Sequence, residues 1–159
     1  MKKIVSLLLI AVMSVAILTG CGNALYDDFE NFLNVSMDEV NANYEQITAE
    51  AAKWETFETE NEIVESINNI LIPLVDDSLE KLETIAPETE EVKALKDKYV
   101  SVMEAYKEGF VNFAKGIAIQ DEEIMNAGNE KINEGIELLN EYNTGLEDLA
   151  AQVGAEIQY

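Results

Sequence analysis

An all-α fold, an antiparallel four-helix bundle behind a cleaved N-terminal segment, is what the sequence predicts, and three observations predict it. Apolar residues recur mostly at spacings of three or four along four stretches, the period of an amphipathic helix. Proline occurs only twice, at Pro73 and Pro87, so little interrupts those stretches. The junctions between them carry helix-start chemistry. A hydrophobic content of 48% is too high for a disordered chain despite the charge, so a packed core is expected.

The first stripe runs Leu33, Met37, Val40, Tyr44, Ile47, Ala51 and Trp54. The second comprises Ile63, Ile67, Ile70 or Leu71, Val75, Leu79, Leu82 and Ile85, with Pro73 in its middle. Pro73 lacks a backbone donor and predicts a kink near Asn69. The third runs Val92, Leu95, Tyr99, Val102, Tyr106, Phe110, Phe113 and Ile117, and the fourth Ile124, Ile132, Ile136, Leu139, Tyr142, Leu146, Leu149 and Val153. Ser36 with Glu39 and Thr59 with Glu62 have capping-box spacing, Pro87 suits a first helical turn and Asp121 an N-cap. Short joints between amphipathic helices favour antiparallel neighbours, hence the bundle. The stretch from Tyr26 to Val35 is ambiguous, since Ser36 could begin a helix or lie within a longer one.

Charge excludes several functions. The formal net charge is −22, with no histidine, and all ten basic residues are lysines. Losing Lys2 and Lys3 with the first 20 residues leaves eight lysines against 32 acidic residues, a formal −24. Such a surface repels phosphate backbones, so nucleic acid is excluded as a partner. It favours contact with basic partners instead. Without histidine, His-ligated haem, di-iron Glu-x-x-His sites and Ser-His-Asp or Cys-His catalysis are all excluded.

At the start, Lys2 and Lys3 precede the apolar run Ile4 to Leu18, which is shorter than the roughly 20 residues of a membrane span. The layout is that of a removable secretory signal. The order Leu18-Thr19-Gly20-Cys21 resembles the lipobox of bacterial lipoproteins at all four positions. That resemblance implies recognition of Leu18, Thr19 and Gly20 by a signal peptidase, cleavage before Cys21 and a diacylglyceryl thioether on Cys21. Two acyl chains anchor a protein stably where one does so only reversibly. The expected division is a signal peptide at 1–20, a short tether at 21–28 and a helical domain at 29–159. Cys21 to Phe29 spans eight residues, at most about 28 Å. The mature part also looks like the small helical lipoproteins of Gram-positive bacteria, a likeness that implies no catalytic residue.

The densest acidic clusters, Asp38-Glu39, Glu58 to Glu62, Glu88 to Glu91 and Asp121 to Glu123, all fall at expected helix starts, where carboxylates oppose the helix dipole. No segment has the spacing of a calcium loop and no metal site is expected, weak calcium or magnesium association by these carboxylates being the alternative. Gly109 and Gly116 lie seven apart on the third helix, as do Gly128 and Gly135 on the fourth. Each costs about 1 kcal/mol relative to alanine in a helix. A turn centred near residue 122 would set Gly109 opposite Gly135 and Gly116 opposite Gly128, suggesting close helix approach. A small apolar ligand gap beside Tyr106, Phe110 and Phe113 is the sharper alternative.

The expected function is a non-enzymatic, cofactor-free interaction module, held by the Cys21 lipid on the extracytoplasmic face of the cell membrane. It would present an anionic bundle to a protein or cell-envelope partner. The alternative is a ligand-binding or sensing lipoprotein with an apolar cavity between helices.

Overall fold

A computed structural model describes residues 14–16 and 23–158. The fold is all-α, with one short strand pair: β1 (Ser14–Ala16) runs antiparallel to β2 (Glu156–Gln158). The helices are α1 (Ala24–Asn31), α2 (Asp38–Ala52), α3 (Glu60–Ser66), α4 (Ile72–Thr84), α5 (Glu90–Ile119) and α6 (Glu122–Val153).

The ambiguous stretch is helical. Asn23 caps α1, its side chain accepting from Leu25 N at 3.1 Å. The chain then passes through a π turn, Phe32–Ser36, into α2, with Met37 N donating to Phe32 O five residues back at 2.9 Å. This wider turn shifts the helical phase. Tyr26, Phe29 and Phe32 before it, and Met37 and Val40 after it, therefore reach the same core, while Val35 is left 67% exposed. Ser36 lies inside the turn and starts no helix, and the expected Ser36–Glu39 box is not formed because the backbone there stays helical. Likewise α1 begins within the stretch read as tether.

Thr59 and Glu62 do form their capping box, Thr59 N donating to Glu62 Oε2 at 2.8 Å. Pro73 sits in the first turn of α4, after a second π turn at Ile67–Leu71. In a continuous α-helix Pro73 would deny a donor to the Asn69 carbonyl and its ring would crowd that group. The π turn, which includes Asn69, is the local adjustment to Pro73 and falls where the kink was expected. Pro87 lies ahead of the Thr89 N-cap position of α5, outside the first helical turn. Asp121 caps α6, accepting from Glu123 N and Ile124 N at 3.0 and 3.1 Å.

Contacts between α2 and α4, and between α4 and α5, run antiparallel: Asn43 meets Asp77 and Ser78 while Glu50 meets Ser66, and Lys107 meets Asp76 while Lys96 reaches the Ile85 carbonyl. The long hairpin of α5 and α6 is the most extensive pairing. All stripes feed one core, in which Val40, Ile47, Ile67, Leu71, Val75, Leu82, Met103 and Tyr106 are fully buried.

Candidate functional site

The anchor residues Leu18, Thr19, Gly20 and Cys21 lie outside the described residues. The described residue nearest to Cys21 along the chain is Asn23, the cap of α1. Only Gly22 separates Cys21 from that cap, a reach of about 7 Å. Among the described residues no helix is long and apolar enough to cross a membrane.

The end of the molecule beside Asn23 is locked by a carboxylate. Asp28 of α1, 8% exposed, accepts from Glu88 N at 3.0 Å and Thr89 N at 2.8 Å, and from the Thr89 hydroxyl at 2.5 Å. It thereby satisfies backbone donors at the start of α5 that no local side chain caps. Burial works to raise its pKa, but these hydrogen bonds outweigh it and hold the carboxyl below its ordinary value. The opposite end has its own network: Trp54 Nε1 donates to Ser66 Oγ at 3.0 Å, and Ser66 donates to Glu50 Oε1 at 2.8 Å. Lys53 pairs with Glu50 at 2.6 Å, and this bond is the main cause of the lowered Glu50 pKa. Between them, Asn43 Nδ2 donates to Asp77 Oδ2 at 2.6 Å and to Ser78 Oγ at 3.2 Å. Sequence reasoning singled out none of these groups; an acid among Tyr26 and Phe29, or an Asn one residue from Tyr44, is the available signal. Each buried carboxylate is held by partners that stabilise the fold.

The α5–α6 seam holds the four glycines. A Cβ on Gly128 would come within 2.5 Å of Phe113 N, and one on Gly116 within 2.5 Å of Met125 N. One on Gly109 would meet Ile132 Cγ1 at 2.7 Å, and one on Gly135 the Tyr106 ring at 2.7 Å. Each glycine thus faces a larger residue, three positions away from the glycine that index symmetry proposes. The turn centres between Gln120, which adopts left-handed φ 55°, and Asp121. Gly109 and Gly128 also face each other, a Cβ on either lying 3.0 or 2.8 Å from the other's carbonyl oxygen, and the larger residues fill the seam on both sides.

The space beside Phe110 and Phe113 is filled by a ring. Trp54 stacks on Phe113 with centroids 6.1 Å apart and meets Phe110 edge-on at 6.3 Å, and Tyr106 stacks on Phe110 at 6.0 Å. Tyr99 and Tyr142 make a T-shaped pair at 4.9 Å. Burial pushes the phenols of Tyr99, Tyr106 and Tyr142 well above their ordinary pKa, so they stay neutral at physiological pH. A concavity among the described residues lies elsewhere: a groove of about 250 Å³ over the seam, lined by Glu91, Ala94, Leu95, Lys98, Gly145, Asp148, Leu149 and Gln152. Among the described residues no group of three or more His, Cys, Asp or Glu could hold a metal ion.

Ten lysines cannot neutralise 32 acids, so repulsion within the surface opposes compactness. Screening relieves it, the Debye length falling from about 30 Å at 0.01 M salt to about 8 Å at 0.15 M. Thermal unfolding followed by circular dichroism should therefore shift to higher temperature across that range, whereas a fold held by surface ion pairs would shift lower.

A family model described as EMYY-motif containing lipoprotein matches residues 1–156. No curated protein and no solved structure gives a match. The contiguous string Glu-Met-Tyr-Tyr does not occur in this chain.

Proposed function

The chain belongs to the EMYY-motif containing lipoproteins, and from that premise we propose a non-enzymatic interaction module, lipid-anchored through Cys21 on the extracytoplasmic face of the membrane. The observation that carries this reading is the filled interior. Trp54 occupies the space between Phe110 and Phe113 where a ligand gap was the alternative, and the buried carboxylates Asp28 and Glu50 are used in holding helices together. What remains to act on the surroundings is the anionic surface. No cofactor beyond the covalent lipid enters this reading.

In it, α1 with α2, and α3 with α4, are single rods bent at their π turns, so that with α5 and α6 they make an antiparallel four-helix bundle. The signal peptide comprises residues 1–20, and its removal takes β1 away. The short reach from Cys21 to Asn23 then sets the end bearing Asp28, Glu88 and Thr89 against the lipid. The α5–α6 turn at Gln120 and Asp121 stands off by up to about 45 Å, the length of a 30-residue helix.

Growing cells on radiolabelled palmitate tests the anchor. The wild-type protein should incorporate label and sediment with membranes, and Cys21→Ser should lose both. Of two photo-crosslinkers, one at Glu122, on the outward end, should spare lipid, and one at Asp148, over the α5–α6 seam, should yield discrete protein or envelope adducts in living cells. Labelled Cys21→Ser would remove the anchor, and a Glu122 crosslinker that reacts with lipid would remove the outward orientation.

A further inference from the structure

We infer that the groove over the α5–α6 seam is a docking site for an apolar side chain carried on a basic peptide segment. This deepens the interaction-module reading and rests on it, with the contact made on the flank of the bundle near its lipid-facing end, where α5 begins and α6 ends. The groove exists because of Gly145. At Gly109, Gly116 and Gly128 an added Cβ would strike backbone atoms of the partner helix, and at Gly135 an aromatic ring. At Gly145 the close neighbour is only Leu95 Cδ2, at 2.9 Å. The missing side chain leaves the surface open above Leu95 and Leu149, two otherwise buried leucines, with exposed Ala94 as one wall. The floor is therefore apolar over about two turns of both helices.

Size and charge choose the occupant. At about 250 Å³ the groove falls below the roughly 300–1,000 Å³ of sites that enclose small ligands, and it is open to solvent. One projecting side chain suits it better than an enclosed molecule. Glu91 and Asp148 stand at its rim, and the single rim lysine, Lys98, is drawn toward Glu141 at 3.3 Å. On a chain of net charge −22 this rim attracts lysine or arginine flanking the apolar residue. A second copy of the chain is disfavoured as occupant, because like charges repel.

The test uses the lipidated chain in phosphatidylcholine nanodiscs, with empty discs as background, and two dye-labelled synthetic peptides of equal length and lysine content. One carries leucine where the other carries serine. Anisotropy titration should show the leucine peptide binding about tenfold more tightly, the scale expected for burying one such side chain. Gly145→Met, which fills the groove from its floor, and Ala94→Trp, which fills it from an exposed wall, should each erase that preference and leave serine-peptide binding unchanged. Equal binding of both peptides to the wild type, or a leucine preference that survives both variants, would overturn the docking site while leaving the anionic module standing. Binding of neither peptide would overturn the docking site and the preference for basic partners together.

Discussion

Gly128→Leu is expected to destabilise the protein by about 3 kcal/mol or more, a fall in Tm of about 10 °C for a chain of this size. Even a Cβ at this position would lie 2.5 Å from Phe113 N, 2.8 Å from Phe113 Cα and 2.8 Å from the Gly109 carbonyl oxygen. All three are main-chain atoms in helix interiors, so they yield only if the two helices separate. Helix propensity favours replacing glycine by about 1 kcal/mol, but overpacking a closed contact costs more, and leucine adds further carbons with nowhere to go. Gly145→Ala is the counterpart and should have the opposite sign, a gain of up to about 1 kcal/mol. There the obstacle is the end of one rotatable leucine side chain at 2.9 Å. Denaturant titration of the two variants checks both; a Gly128→Leu protein as stable as the wild type would mean that the seam is not closely packed.

Asp28→Ala should cost about 3 kcal/mol at neutral pH. Hydrogen bonds to a charged acceptor contribute about 1.5–3 kcal/mol each, and removing this one carboxylate leaves the Glu88 and Thr89 backbone donors without their partner. The acid dependence follows from the direction of the pKa shift. Because the folded-state pKa of Asp28 is depressed, its contribution is fully present above the unfolded carboxylate value of about 3.9 and disappears as pH falls through the lower folded value. The stability difference between wild type and Asp28→Ala should therefore be constant at neutral pH and shrink only in that acidic window. A difference that persisted unchanged through it would show that the variant acts by lost packing, not by lost charge-assisted bonds.

Much of the fold was legible in the sequence because helical period is a direct consequence of burial. Val40, Ile47, Ile67, Val75 and Leu82 lie where their spacing put them, at 0% exposure. The capping box at Thr59 and the cap at Asp121 were legible because both are local. The π turns were not, since they appear only when the apolar residues on both sides of a turn must face one core, as Phe32 and Met37 do. Asp28 was hidden by distance: its partners stand 60 and 61 residues away. The glycine spacing pointed to the right pair of helices, but symmetry set glycine opposite glycine, while packing sets Gly135 against the Tyr106 ring. The groove was hidden for the same reason, because it depends on which residue of α5 lies under Gly145. The proposed anchor, by contrast, rests on four consecutive residues, Leu18-Thr19-Gly20-Cys21, and on no distant contact.

In the proposed reading the chain's location and the kind of partner it can meet both follow from those four residues, and the intact mass of the protein extracted from its own membranes is the direct test. The account predicts a chain beginning at Cys21 that carries the added mass of a diacylglyceryl group. A chain beginning at Met1 with a free thiol at Cys21 would contradict it.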